Sequence, residues 1–323
     1  MALPDDPLGP ETRADLERRL AELEAERVAL LAWFKKAGGI LLGVVLVAMA
    51  VVSFFFGSGD AIFVGLAAVL VALVYGLHRM NQLSQRGKAE LMARIAEALG
   101  FEYRLNAMGF PLDHFRRLGL VPRFDRDKLH DHLTAETANG ERLELVDAEL
   151  QRKRRSRGKG SREPSYEPVF KGLLLRVNAA EPFSDQVLVL KDSGAVGNAL
   201  SGWLRSDEPV HLESARFNKT YTVYANDQVE ARRLLTPTVM ERCLKLDAQT
   251  GGTPQIGFSE GRILIALDRG VPSFEMPQIW KTWDAGAFEG MLDDLRYALG
   301  AAQLLGRELA QPEAADAARA DPA

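Results

Sequence analysis

Apolar positions recur with different periods along the chain, and the longest apolar runs come first. Residues 37–59 read AGGILLGVVLVAMAVVSFFFGSG, 23 residues without Lys, Arg, Asp or Glu. After Asp60, residues 61–78 read AIFVGLAAVLVALVYGLH, another 18 without such a charge. Crossing a bilayer core takes about 20 apolar residues at about 1.5 Å of rise each. Both runs meet that length, and a helix apolar on every side belongs in lipid or deep in a core. The joint Gly57-Ser58-Gly59-Asp60 is too short for a domain. The pattern therefore predicts an antiparallel transmembrane hairpin over 37–79, with spans 37–59 and 61–78.

Ahead of it, TRADLERRLAELEAERVALLAWFKK sets Leu16, Leu20, Leu23 and Leu30 on one side, with Glu and Arg elsewhere. This predicts an amphipathic, short coiled-coil-like helix over 11–36 that runs into the first span, with Arg27 breaking the seam. Pro4, Pro7 and Pro10 suggest a disordered start over 1–10.

Beyond residue 79 the pattern shortens and becomes mixed. KAELMARIAEALGF aligns Leu91, Ile95 and Leu99 on a helix face, with Gly100 as its stop. FRRLGLVPRFDR is read as irregular around Gly119 and Pro122. ERLELVDAEL, VFKGLLLRVNA and QVLVLKD are strand-like. Phe217, Tyr221 and Val223 alternate with polar residues and predict one half-buried strand. Asp227 caps a short helix, DQVEARRLL. Thr236-Pro237 opens another, with Val239, Met240, Cys243 and Leu244 inward. PQIGFSEGRILIALD gives two strands joined at Ser259-Glu260-Gly261, and AFEGMLDDLRYALGAAQLL is a last helix. Helices and strands mixed without βαβ alternation indicate an α+β domain over 80–306. The Ala-, Pro- and acid-rich tail, 307–323, should be disordered.

Flanking charge orients the hairpin. Lys35 and Lys36 precede the first span, and Arg79, Arg86 and Lys88 follow the second, while the connecting turn has no basic residue. By the positive-inside rule both termini are cytoplasmic, giving a two-pass protein of a bacterial inner (plasma) membrane. Neither span holds an ionisable residue except His78 at the edge, which argues against a channel or transporter built from the hairpin alone. Small residues recur at four-residue spacing: Gly39 and Gly43, Ala61 and Gly65, then Ala68, Ala72 and Gly76. Such stripes let helix backbones approach closely, within the hairpin or in a homo-oligomer.

Overall charge changes the picture at one place. The chain has formal net charge −4, yet residues 152–162 hold seven cations and no acid: Arg152, Lys153, Arg154, Arg155, Arg157, Lys159 and Arg162. The run lies between two strand-like stretches and reads as a hairpin tip. Beside a membrane it would attract anionic lipid or an acidic protein partner. The acidic chain and the lack of a binding motif argue against nucleic acid. A lone cysteine, Cys243, can form neither an internal disulfide nor a CxxC site, and it reads as core filler. MALPDDPLGPETR does not read as a secretory signal.

The strand and turn FNKTYTVYAND, then EARRLLTP and VMERCLKL, with IGFSEGRILIAL further on, resemble the bacterial domain-of-unknown-function family 3137. A paired span ahead of the domain fits as well. The resemblance extends over about residues 80–300, densest at 217–246. It implies a membrane-anchored bacterial protein and brings no catalytic residues with it.

RFDRDKLHDHLTAE gathers Asp125, Asp127, His130, Asp131 and His132. On a strand His130 and His132 would face one side and could share a metal with Asp127, but zinc sites need a third protein ligand that this spacing does not fix. His114 and His211 are isolated. KDSGAVGNALSGWL matches neither a P-loop nor a nucleophile elbow. Trp280 and Trp283 could form a recognition surface or cover a core edge. No catalytic residue and no cofactor is assigned. The sequence thus favours a membrane-anchored interaction module that binds a protein partner and anionic lipid. An enzyme acting on a membrane-associated substrate through 125–132, and an oligomeric membrane organiser, are the alternatives.

Overall fold

The computed structural model describes residues 8–56, 58–136, 140–154, 165–178, 183, 186–191, 209–250 and 253–303. Most of the expected disordered start, the glycine- and serine-bearing stretch 192–204, and the tail lie outside these, as do Arg155, Arg157, Lys159 and Arg162. The chain forms two compact units. One holds Ile95–Phe274 with residues 291–303; the other holds Gly9–Arg94 with Glu275–Gly290.

The first unit is built on one antiparallel sheet. Its strands are β1 (Glu102–Asn106), β2 (Arg126–Glu136), β3 (Arg142–Lys153), β4 (Tyr166–Asn178), β5 (Val187–Lys191), β6 (Tyr221–Ala225), β7 (Thr253–Ser259) and β8 (Arg262–Asp268). They lie in the order β1-β2-β3-β4-β8-β7-β5-β6, which makes the fold α+β. Long runs of Val, Leu and Ile in β3, β4 and β8 follow from cover on both faces. Val146, Leu174 and Ala266 face a cluster that includes Phe115 and Leu120. Their neighbours Leu145, Leu175 and Ile265, which point the other way, are buried as well.

Helix α3 (Leu112–Arg117) lies in the stretch expected to be irregular. It ends where Gly119, at φ 67°, lets the Gly119 and Leu120 amides reach back to the Arg116 and Phe115 carbonyls. A second difference concerns Phe217. Residues 215–220 form helix α4 (Ala215–Thr220), and β6 starts only at Tyr221. Ser214 caps α4 by accepting from the Phe217 amide, and the Asn218 side chain bonds both backbone groups of Leu212. These local bonds outweigh the alternating pattern. Helices α5 (Gln228–Leu234) and α6 (Pro237–Thr250) follow, with Asp227 accepting from the Val229 amide as the α5 cap. Met240, Cys243 and Leu244 are buried, and burial pushes the Cys243 thiol up to about 12.

The second unit contains two long helices, α1 (Pro10–Phe56) and the main part of α2 (Ser58–Ala98). Each is long and apolar enough to cross a membrane. The second apolar run and the KAELMARIAEAL helix are one continuous α2, which stops at Gly100, φ 76°. Large apolar side chains stand exposed along both helices, Val47 at 65%, Phe54 at 84% and Leu66 at 69%. The small-residue stripes divide. A Cβ on Gly65 would come 2.5 Å from the Met49 sulfur, and one on Gly76 would come 2.8 Å from the Phe34 ring. Gly39 and Gly43 have nothing within 4 Å of that position.

The charged half of the same unit explains Arg27. Leu16, Leu20 and Leu23 are buried, and so is Arg27, at 6% exposure. Its guanidinium donates twice to Glu24, at 2.7 and 2.6 Å, and once to the Ile279 carbonyl at 2.8 Å. Glu24 also accepts from the Trp283 amide at 3.0 Å. The bond from Arg27 holds the Glu24 carboxyl below the usual range, against the opposing effect of burial. Lys88 pairs with Glu275 at 2.8 Å. The residue that breaks the leucine seam is thus what binds the 275–290 segment to the helices.

Candidate functional site

Helix α3 directs Leu112 and Phe115 into the core, which leaves His114, Arg117 and Leu118 on another face at helical spacing. That face borders a cavity of about 540 Å³. Opposite stand Arg262 and Leu264 of β8 and the tight turn Ser259-Glu260-Gly261, with Phe183, Gln186 and Asn226 closing the rim. Glu260 and Gly261 have φ of 52° and 68°, the left-handed pair that a two-residue hairpin turn requires. The turn places Glu260 2.8 Å from Arg262.

The cations are only partly balanced. Glu144 takes both Arg176, at 2.8 Å, and Arg142, at 3.2 Å. Arg117 has no acidic partner among the described residues. Burial, then Arg262, Arg117 and Arg176, hold the His114 imidazole below its usual range, while Glu260 opposes them. These effects favour the uncharged imidazole, and its buried Nδ1 has no hydrogen-bond partner among the described residues. Sequence reading treats His114 as isolated. The Arg-Arg pair at 116–117 was the available signal, but its partners come from a distant hairpin.

The 125–132 cluster does not converge. A bulge between His130 and Leu133, with Asp131 at φ 54°, lets two residues of β2 oppose one of β3. His130 is exposed and His132 is 7% exposed, so the strand does not present them together. Asp131 accepts from the Tyr103 hydroxyl at 2.7 Å, and Asp125 accepts from the Lys153 amide at 2.7 Å. Asp127 is exposed. Among the described residues no three His, Cys, Asp or Glu are grouped to hold a metal. Burial keeps the His132 imidazole below its usual range, with Arg104 and Arg142 adding to this and Glu144 opposing.

Of the basic run, Arg152, Lys153 and Arg154 are described, at the end of the β3–β4 pair. β3 and β4 pair up to Lys153 and Tyr166, and the Arg154 amide donates to the Ser165 carbonyl. Arg152 pairs with Glu167 at 3.0 Å, and Lys153 and Arg154 are exposed. The tryptophans part company: Trp283 is buried and donates to the Pro277 carbonyl at 3.1 Å, and Trp280 is 66% exposed.

Residues 168–307 match the family model described as "Protein of unknown function (DUF3137)". It is the family that the sequence resembles. The match runs from β4 to α7 (Gly286–Gln303) and takes in Glu260, Arg262 and Leu264 of the cavity, while His114 and Arg117 precede it. No curated protein matches the chain. The crystal structure of the mycobacterial trehalose monomycolate transport factor A, TtfA, is similar at 10% identity with a TM-score of 0.34, over 70% of this chain and 99% of that one. A likeness at that level transfers neither fold nor role.

Proposed function

We propose that the chain is a membrane-anchored interaction module. Helices α1 and α2 anchor it in a bacterial inner membrane with both termini cytoplasmic, and the sheet unit binds a protein partner there. The observation that carries the reading is the row of large apolar side chains left exposed between Ile40 and Leu77. Water would not tolerate so large a patch, and lipid would. Lys35, Lys36, Arg79 and Arg86 support the cytoplasmic orientation. The cations of residues 152–162 give the module an attraction for anionic lipid headgroups or an acidic partner, at about 1 kcal/mol per residue near an anionic surface.

Crosslinking in intact cells, followed by purification from membranes, tests the reading. A specific protein recovered in stoichiometric amount is the expected result. Recovery that is unchanged when all seven basic residues become serine removes the basic run from the mechanism. A second reading, a homo-oligomeric membrane organiser, draws support from Gly39 and Gly43, whose faces meet nothing within 4 Å. Recovery of self-crosslinked chains alone would replace the first reading with this one.

A further inference from the structure

The cavity of the sheet unit has the features of a small-molecule site. Its volume, about 540 Å³, lies in the range of about 300–1,000 Å³ usual for such pockets. Leu118, Phe183 and Leu264 give it apolar walls. Two cations line it, Arg117 at the end of α3 and Arg262 of β8. Arg117 lacks an acidic partner among the described residues, and Arg262 is held by Glu260 of the adjoining turn at 2.8 Å. His114, which lines the cavity, has a buried Nδ1 with no hydrogen-bond partner among the described residues. Buried groups of this kind are costly unless they are matched.

We infer that this cavity binds a small soluble organic oxyanion, a phosphate or carboxylate carried on a short apolar body, with Arg117 and Arg262 gripping the head group. A guanidinium is weakly hydrated and offers paired N–H donors that fit either head group. Imidazole at His114 adds a further hydrogen bond, and the apolar walls take the body of the ligand. Glu260 lies 2.8 Å from Arg262 and repels the anion, so it sets how much of that guanidinium is available. The site is independent of the membrane reading and needs only the sheet unit to be folded.

Titration calorimetry on the full chain in neutral detergent tests this with phenyl phosphate and phenylacetate, and with phenol as the uncharged control. At least one of the two anions should bind saturably, one per chain, and phenol should not. Arg117→Gln lies on the exposed face of α3 and should weaken binding about tenfold, the usual effect of losing one charge-assisted hydrogen bond. Glu260→Gln keeps the turn residue's size and should tighten binding by about threefold or more, by removing a repelling charge. A structural role for these residues would not make one variant weaken and the other tighten. No saturable binding of either anion, equal binding of phenol, or affinities unchanged in both variants would overturn the proposal. Which anion binds the more tightly identifies the head group.

Discussion

The sheet and the two long helices use the same residues, Val, Leu, Ile and Phe, with opposite outcomes. In the sheet Leu145, Val146, Leu174, Leu175 and Ile265 are all at or below 1% exposure. Along α1 and α2, Ile40, Val47, Phe54 and Val71 are each more than half exposed. Residue type alone does not separate the two. What separates them is what the backbone demands. A strand makes its backbone hydrogen bonds with neighbouring strands, so it is held in a sheet whose apolar faces other elements then cover. A helix satisfies its own backbone and needs no protein cover if the solvent is lipid. On the proposed membrane reading, the chain has two kinds of apolar surface, one closed by protein and one left for lipid to close.

The comparison breaks most sharply at Phe115. This ring is fully buried beside Phe110, 5.6 Å between centroids, and joins α3 to the sheet. Phe115→Ala should cost about 3–5 kcal/mol of stability, read by urea unfolding of the full chain in detergent. Leu46→Ala, on the exposed face of α1, should cost less than about 0.5 kcal/mol in the same assay. Equal costs would mean that the helices carry a protein core of their own.

A smaller effect tests the lipid half directly. Val47 lies near the middle of the first apolar run. Val47→Asp should raise the cost of insertion by about 2.5–3.5 kcal/mol, seen as loss of the chain from carbonate-washed membranes. In water the same change at an exposed site is almost free, so full retention would count against a bilayer around α1.

Much of this division was legible beforehand. Two charge-free runs gave the long helices, alternation and apolar runs gave β3, β4, β7 and β8, and Gly100 marked the end of α2. Short-range chemistry misled the reading where the same residues suit two structures. Phe217 and Tyr221 fit an alternating strand, but the Ser214 cap and Asn218 bonds start a helix first. His130 and His132 have the spacing of strand neighbours, and only a bulge at Asp131, invisible in composition, separates them. The candidate cavity was the least legible feature. His114 and Arg117 meet Arg262 only because β8 lies beyond β4 in the sheet order, a pairing that no local pattern encodes.

The smallest effect concerns acid. Burial keeps both His114 and His132 below the ordinary histidine value of 6.5. The folded chain therefore binds fewer protons than the unfolded one just below that pH. Their contribution is fully favourable above pH 6.5 and is lost as pH falls through the window between 6.5 and the lower folded values. For one such proton the slope is limited to about 1.4 kcal/mol per pH unit. His132→Gln removes one titration at a buried site flanked by Glu144, Arg104 and Arg142. Unfolding midpoints measured from pH 7.5 to pH 5 should fall less steeply in that variant than in the parent chain. Parallel curves would mean that His132 is solvated in the folded state, and that the bulge at Asp131 opens to water rather than sealing the ring beside Phe110.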